Sequence, residues 1–472
     1  RTDDGIRRLT RPLEEVLIPG TVREVIAARL DRLGASAKRA VQVASVLGRQ
    51  FHRQQLTRLL EGEDVDVAAV LATLEQRGIL HRKNVLSAEE FRFGESLTQE
   101  VAYDGLLMKE RRLIHERIGW LLESMPRDVD PERTALLAHH FARSDNRLKA
   151  VETLLAAARE AERLPSYTTA GELDRQAWEI ADAALGERPD LGDDFRRLAM
   201  SSALHLCRMS VIYVASGSAD VERAAQRGRE LAEALGDTES VAGFYTYHGM
   251  LTMNGDRDQF AAGLAMVERG LSLAEEAGLE ESAVSISRAL AFAYFFDGQL
   301  DCARAIISRV SAALQKAGHA ERRSDLYFGS RWMQNSMLLY ASDDLGAAAD
   351  DALDCHQLAT ETNNRTSRSG MAAVLAQIHF VRGDYEEAKR WADESLKVAE
   401  VIGNVNTNRM AAVMALGARL ALGESVTPSR YLKPIESSLA TASNLSLQAL
   451  VMVDALLDAG ELGLAERSAR LA

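Results

Sequence analysis

A phrase that returns about every 40 residues constrains the fold of this chain more than any other feature of its sequence. Six segments carry the phrase: LAEALGD, LAEEAGL, LQKAGHA, LATETNN, VAEVIGN and LATASNL. Each closes on Gly or Asn, at positions 236, 278, 318, 363, 403 and 444, in steps of 42, 40, 45, 40 and 41 residues. Because Gly and Asn accept the left-handed conformation that ends helices, each phrase predicts a helix C-terminus.

A second recurring pattern lies about midway between these phrases. It occurs in GQLDCARAII from 298, DDLGAAADDA from 343, GDYEEAKRWA from 383 and GELGLAERSA from 460. It indicates a short turn and then a second helix with a small residue at a close contact. Two antiparallel helices per period predict an α-solenoid, in which each pair buries its apolar face against its neighbours. The spacing of Gly383, Tyr385 and Ala388 resembles the tetratricopeptide repeat. The longer period is similar to the extended repeats of bacterial signalling ATPases and maltose-regulator-type activators.

The composition of the 472 residues favours a helical protein of about two to four domains. Only 8 residues are proline and 6% are aromatic, whereas alanine and leucine, which favour helices, are abundant. The net charge of −13 repels phosphate backbones, so we expect no direct nucleic-acid partner. Cys207, Cys302 and Cys355 lie far apart on helical patterns, which suits reduced thiols in a cytoplasmic protein. No apolar run of about 18 residues occurs, so we expect no membrane partner.

The first 125 residues follow a different pattern. Amphipathic helical segments are predicted at 18–33, 36–48, 53–61 and 64–78, and β-like runs follow at 79–82 and 91–93. Helices followed by such a hairpin predict a winged helix. Asp64 and Asp66 open the helix that would enter a DNA groove, where they would face phosphates, so we expect no DNA readout by this domain. Residues 126–220 indicate two degenerate helix pairs that lead into the regular array.

Three phrases carry a family resemblance: IPGTVREVIAARLDRLGASAKRAVQVASVLGRQF, LEQRGIL and FRFGESLTQEVAYDGLLMKERRLIHERIGWLLE. They resemble the winged-helix part of the STAND class of signal-transduction ATPases, in the branch often attached to bacterial adenylate or guanylate cyclases. With the repeats, this resemblance extends over nearly the whole chain, which we interpret as a fragment because it begins at Arg1 rather than Met.

The resemblance implies a domain order for the chain. Residues 1–18 are then the tail of an upstream ATPase core, 19–125 a winged-helix domain with its connecting helix, 126–220 degenerate helical repeats, and 221–472 regular tetratricopeptide-like repeats of about 40 residues. It also implies ATP or ADP as the cofactor of the missing core, and the core itself as a partner of this chain. The fold class predicted is all-α, a winged-helix domain followed by an α-solenoid.

No catalytic constellation is recognisable in the sequence. None of its lysines follows a glycine, so the phosphate loop G-x-x-x-x-G-K-[ST] is absent. The motifs G-x-G-x-x-G, G-x-S-x-G and H-E-x-x-H are absent too. His139 and His140 are neighbours on a predicted helix and point about 100° apart, so we predict no metal site there. We therefore expect no enzyme activity and no cofactor in this chain itself.

An α-solenoid usually binds its ligands on the inner, concave surface, which the first helix of each pair lines. The tetratricopeptide resemblance places these residues on that surface: Tyr245, Arg288, Phe292, Phe295, Met333, Met337, Gln377 and Phe380. Aromatic residues, Met and Arg are typical interface anchors, so we predict a protein or small-molecule ligand there. Trp332 falls where the repeat packs a tryptophan between its helices, and we predict a structural role for it.

The junction FRFGES at 91–96 departs from the family pattern. In STAND ATPases a wing histidine can contact the phosphate of the bound nucleotide, and the corresponding position here is Glu95. A carboxylate there would repel a diphosphate unless Arg92 or a metal ion intervenes. The simpler alternative is that Glu95 caps the following helix, with its charge favoured by the helix dipole.

These features predict the regulatory, ligand-sensing part of a multidomain STAND-type ATPase, which couples a ligand on the repeats to a nucleotide switch. A cyclase output is an implication of the family alone. One alternative is the sensing part of a transcription activator whose DNA-binding domain lies beyond residue 472. Another is a plain tetratricopeptide scaffold without a nucleotide role.

Overall fold

The computed structural model describes residues 20–85, 88–125, 133–164, 166–211, 218–255, 257–316, 328–332, 334–336, 344–402, 404–424 and 457. The chain divides into two compact units, Arg1–Thr153 and Leu154–Ala472. Helices dominate both units, as the predicted all-α class requires. The finer boundaries predicted at 125 and 220 stay predictions.

The first unit combines short helices with a small sheet. In chain order its elements are α1 (Gly20–Asp31), α2 (Ala35–Leu47), β1 (Gln50–His52), α3 (Arg53–Leu59), α4 (Val67–Gln76), β2 (Leu80–Val85), β3 (Ala88–Phe93), α5 (Ser96–Asp104), α6 (Met108–Ser124) and α7 (Arg133–Phe141). The predicted helices and the β2–β3 hairpin are confirmed. The strand β1 was not predicted, because three residues are too short to show an alternating pattern.

The sheet of this unit is antiparallel with the order β1-β3-β2. Alternation along β3 buries Phe91 and Phe93 and leaves Arg92 exposed. Phe51 of β1 lies directly opposite Phe91, and their ring centroids are 6.1 Å apart. These aromatic rings join the side chains of α1–α6 in one hydrophobic core, which fixes the sheet against the helices.

The second unit is an array of antiparallel helix pairs. The boundary between the two units in the sequence falls within α8 (Arg147–Arg163). After it come α9 (Tyr167–Glu187), α10 (Asp193–Met209), α11 (Ala219–Leu235), α12 (Thr238–Gly255), α13 (Phe260–Glu276), α14 (Glu280–Phe296), α15 (Leu300–Lys316), α16 (Leu345–Glu361), α17 (Arg365–Arg382), α18 (Tyr385–Ile402) and α19 (Val405–Ala421). From α9 to α15, and again from α16 to α19, each helix packs against the next. This is the predicted tetratricopeptide-like solenoid.

Left-handed residues end the helices where the repeated phrase predicts them. Gly236, Gly278 and Asn363 have φ angles of 67°, 69° and 53°. The closing residues at 318, 403 and 444 lie outside the described residues. Asn363 is the one described residue other than glycine with a positive φ, which agrees with the tolerance of asparagine for this conformation.

Alternate helices of the array also touch one another. Contacts join α10 to α12, α12 to α14, and α17 to α19. In a curved stack, the helices on the inside of the curve approach one another more closely than those on the outside. We therefore call α10, α12, α14, α17 and α19 the inner helices, and α11, α13, α15, α16 and α18 the outer helices. In the part of the chain that the structure describes, no helix has the length and apolar character needed to span a membrane.

Candidate functional site

The predicted ligand contacts that fall in described residues all lie on inner helices. Tyr245 belongs to α12, whereas Arg288, Phe292 and Phe295 belong to α14. Gln377 and Phe380 belong to α17. Met333 and Met337 lie outside the described residues.

These side chains differ in how accessible they are to a ligand. Phe295 is 9% exposed and Gln377 1% exposed, so both are buried in the core of the array. The Tyr245 ring is covered by the guanidinium of Arg229 on α11, 5.0 Å from the ring centroid. Phe380 packs edge-on against a tyrosine ring at the start of α18. Their role as ligand contacts stays a prediction, and Arg288 and Phe292 are better placed for it.

Phe292 and Arg288 belong to a continuous row of side chains across successive helices. Phe292 stacks on Trp332, with ring centroids 6.3 Å apart and an interplanar angle of 28°. Trp332 also packs against two hydrophobic clusters of the array, in agreement with its predicted structural role. One helical turn before Phe292, the Arg288 side chain lies against Gly329, where an added Cβ would be 3.3 Å from its guanidinium.

The charges of two arginines on inner helices act on a tyrosine of α12 that sequence reasoning missed. Burial raises the pKa of the Tyr247 phenol, and the positive charges of Arg208 and Arg288 act on the same phenol in the opposite direction. We call Arg208, Tyr247, Arg288, Phe292 and Trp332 the inner-face row. It offers guanidinium, phenol and aromatic groups along α10, α12, α14 and the helical residues 328–332.

Arg208 is at the same time part of an ion cluster that joins α8, α9 and α10. Its Nη1 and Nη2 atoms donate to Glu162 Oε1 and Oε2 at 2.8 and 2.6 Å. His205 Nδ1 lies 2.6 Å from Oδ2 of the fully buried Asp174, and its Nε2 lies 3.2 Å from Glu162 Oε2 and 2.7 Å from Arg208 Nη2. We call Glu162, Asp174, His205 and Arg208 the ion cluster.

The ion cluster shifts the pKa values of its members. Burial opposes charge on Glu162, but hydrogen bonds from His205 and Arg208 outweigh it and lower the pKa of Glu162 to about 2. Burial raises the pKa of Asp174. Burial also acts to lower the pKa of His205, yet the hydrogen bonds to Asp174 and Glu162 raise it overall. The cluster thus holds charge at a depth where unpaired charge would be costly.

The wing residues predicted to sense a nucleotide lie on the surface of the first unit. Arg92 is exposed on β3, directly opposite Gln50 on one side and His81 on the other. Glu95 is exposed at the N-cap position of α5, but its carboxylate makes no capping hydrogen bond, so it does not cap the helix in the way the sequence predicted. His81 was not singled out from the sequence. Its Nε2 would be 2.9 Å from a Cβ added at Gly94, so an imidazole does lie at this junction.

A histidine group also lies between α5, α6 and α7. His115 Nδ1 and His140 Nδ1 are 3.0 Å apart, and Tyr103 Oη is 3.0 Å from His115 Nε2. Burial lowers the pKa of both His115 and His140 to about 3. Among the described residues, no group of three or more His, Cys, Asp or Glu side chains could hold a metal ion. The pair was not predicted, because His115 and His140 are 25 residues apart on different helices.

The chain has limited sequence similarity to known proteins. No protein-family model matches the chain. Over 140 residues it is 30% identical to an uncharacterized protein of Rhizobium meliloti (strain 1021), a match that covers 29% of this chain and only 13% of that protein.

Several solved structures are similar to the chain over most of its length. A STAND protein with a tetratricopeptide repeat sensor from Pyrococcus horikoshii has a TM-score of 0.40 and 11% identity, covering 94% of this chain and 67% of that chain. Aspartyl phosphate phosphatase F from Bacillus subtilis has a TM-score of 0.43 and 13% identity, covering 82% and 96%. NprR in complex with its cognate peptide NprX has a TM-score of 0.44 and 12% identity, covering 77% and 93%. With all of these TM-scores below 0.5, the similarities assign no function to this chain.

Proposed function

We propose that the second unit is a sensor that binds a peptide or a protein segment along the inner-face row. The observation that carries this proposal is the continuity of the row. Arg208, Tyr247, Arg288 and Phe292 lie on the successive inner helices α10, α12 and α14, and Phe292 stacks on Trp332 of the next helical segment. A ligand that extends across several helices can use such a row, whereas a compact ligand would meet only one or two of its members.

The chemistry of the row supports a peptide ligand. Arg, Tyr and Trp are the residues that most often dominate protein–protein binding energy, because each combines a large contact area with a polar group. Two guanidinium groups and a phenol can bind main-chain carbonyls or acidic side chains of the ligand, and the Phe292–Trp332 stack can hold an apolar side chain. A polar row with one aromatic site gives both orientation and specificity.

Selection from a display library of random short peptides, with the whole chain as bait, tests this proposal. Arg288→Ala and Phe292→Ala should each weaken the selected peptides by about tenfold or more, since each removes an anchor. The matched controls are Lys397→Ala and Leu353→Ala, which remove an exposed charge and an exposed apolar side chain from outer helices. Equal loss in the controls, or no loss in folded Arg288 and Phe292 variants, would contradict the proposal.

We further propose that the first unit is a winged-helix adaptor, and that the chain regulates a nucleotide switch in an ATPase core encoded before it. The three phrases that resemble STAND ATPases support this, as does the sequence order of helices and hairpin found in the first unit. Arg92, His81 and Glu95 then form the wing surface that meets the core. In this proposal the chain itself hydrolyses no nucleotide, because the sequence lacks a phosphate loop. Steady ATP hydrolysis by the purified chain, removed by a wing variant such as Arg92→Ala, would contradict it.

A further inference from the structure

His205 has two different partners within reach of one nitrogen. Its Nδ1 faces the Asp174 carboxylate at 2.6 Å. Its Nε2 faces both a donor, Arg208 Nη2 at 2.7 Å, and an acceptor, Glu162 Oε2 at 3.2 Å. The other oxygen of the Asp174 carboxylate, Oδ1, has no hydrogen-bond partner among the described residues. His205 is therefore the main group that compensates the charge of this buried carboxylate.

The two partners of Nε2 correspond to the two protonation states of the imidazole. When His205 is neutral, Nδ1–H donates to Asp174, and the lone pair of Nε2 accepts from Arg208 Nη2. When His205 is protonated, Nε2 can no longer accept and instead donates to Glu162 Oε2. Two cations 2.7 Å apart then repel each other, so Arg208 Nη2 leaves His205 and yields its 2.6 Å hydrogen bond to Glu162 Oε2 to the imidazolium, while Nη1 keeps its 2.8 Å hydrogen bond to Glu162 Oε1.

We propose that His205 is a proton-controlled switch that sets the position of the Arg208 guanidinium on the inner face of the array. Neutral His205 and Glu162 together hold Arg208 back in the ion cluster. Protonated His205 displaces it from this position, which changes the place of one guanidinium in the inner-face row. The consequence for ligand binding rests on the proposed function, because it requires the ligand to contact Arg208.

The charged surroundings of His205 leave few competing explanations. Glu162 faces it from α8, Asp174 from α9 and Arg208 from its own helix, and Tyr247 approaches the cluster from α12. On α11 the charged group that acts on this part of α10 is Glu222. Burial raises the pKa of the Cys207 thiol, and Glu222, which is itself paired with His248 of α12, adds to that effect. A pH-dependent movement of Arg208 that His205→Gln abolishes therefore reports on His205.

Proton release from His205 weakens the ion cluster as the pH rises. When His205 is protonated, the two carboxylates of Glu162 and Asp174 face the two cations His205 and Arg208. When His205 is neutral, one of the two negative charges is uncompensated. Because the pKa of His205 is raised above 6.5, the stabilisation is complete below pH 6.5 and is lost as the pH rises through the raised pKa. A chain without this imidazole has no such loss.

Nuclear magnetic resonance of the whole chain, with ¹⁵N in the arginine guanidinium groups, tests the switch without any ligand. The Arg208 signal is assigned by its disappearance in Arg208→Lys. Between about pH 6 and about pH 9 it should shift in one transition in the wild type and stay constant in His205→Gln. His356→Gln, which removes a histidine that faces a carboxylate at 2.9 Å in another part of the array, is the control and should leave the transition unchanged.

The wild-type titration decides the proposal even if His205→Gln fails to fold. An Arg208 signal that does not move over this pH range would overturn it, as would a transition that persists in folded His205→Gln. With a selected peptide, affinity should change by about threefold or more across the transition in the wild type and remain constant in His205→Gln. An Arg208 transition together with failure of every peptide to bind would refute the proposed function and support the switch.

Discussion

At the residue scale, the neighbours of each histidine decide whether it gains or excludes a proton. His205 lies between two carboxylates, which raise its pKa, whereas His115 and His140 face each other, and their burial lowers both pKa values. Burial favours the neutral form of both rings, and neutral rings can satisfy the hydrogen bonds of this pair. Tyr103 then donates to His115 Nε2, and His115 Nδ1 donates to His140 Nδ1.

Acid should therefore destabilise the first unit. The native pKa values of about 3 lie below the ordinary value of 6.5, so the unfolded chain binds protons that the native chain excludes. The stabilisation is complete above pH 6.5 and is lost as the pH falls toward 3. Urea unfolding followed against pH should show this loss, and His140→Leu should make it smaller. His81→Leu, which removes an exposed histidine outside this pair, is the control variant. An unchanged pH dependence in His140→Leu would refute this account.

A second residue-scale prediction concerns Gly228, where α11 packs against α10 and α12. A Cβ added there would overlap the Phe244 ring and the Ala203 methyl group. Gly228→Ala should lower the free energy of unfolding by about 1–3 kcal/mol, measured by urea titration. Gly186→Ala on α9 is the control, because nothing lies within 4 Å of the added Cβ, and it should stabilise the chain by about 0.5–1 kcal/mol. Equal effects of the two substitutions would contradict the close packing.

At the element scale, the repeated phrase ends one helix and starts the next. The sequence predicted the left-handed residue, but not the function of the residue after it. Asp237, Asn364 and Asn404 follow a closing residue, and each accepts a hydrogen bond from a main-chain N–H three residues later, at 3.0, 3.0 and 3.1 Å. This pairing of a C-cap with an N-cap explains why the turns between outer and inner helices are so short.

Loss of such a cap should destabilise the array locally. Asn364→Ala removes the acceptor for the Ser367 N–H and should cost about 1 kcal/mol in urea unfolding. Asn364→Asp keeps the acceptor and should retain most of the stability. A result in which the alanine and aspartate variants are equally stable would show that this cap contributes nothing.

The sequence predicted the boundaries of those helices and strands whose ends depend on neighbouring residues in the chain. The hairpin strands follow a polar–apolar pattern, and the helix ends of the array follow Gly or Asn. The strand β1 depends on pairing with β3, some 40 residues away, and so left no local signal. Similarly, His205 meets Asp174 across 31 residues, and neither residue stands out in its own segment. Tyr247 of the inner-face row was missed because a single tyrosine in a helical segment does not reveal which other helix it faces.

At the scale of the whole molecule, the packing of successive inner helices against one another determines which side chains a ligand can share. The sequence predicted which helices line the inner surface, and contacts between successive inner helices agree with that prediction. It could not predict which predicted anchors would be buried. Phe295 and Gln377 enter the core because the packing of neighbouring helices, and not the periodicity of one helix, decides their exposure.

The most direct test of the account is to locate a bound ligand by photo-crosslinking. A benzophenone amino acid takes the place of Phe292 on an inner helix or, as the control, of Leu353 on an outer helix, where the side chain is 47% exposed. With a peptide selected against the whole chain, the account predicts crosslinking from position 292 that excess unlabelled peptide abolishes, and none from position 353. Crosslinking from position 353 with none from position 292 would contradict the central claim that the inner-face row binds the ligand.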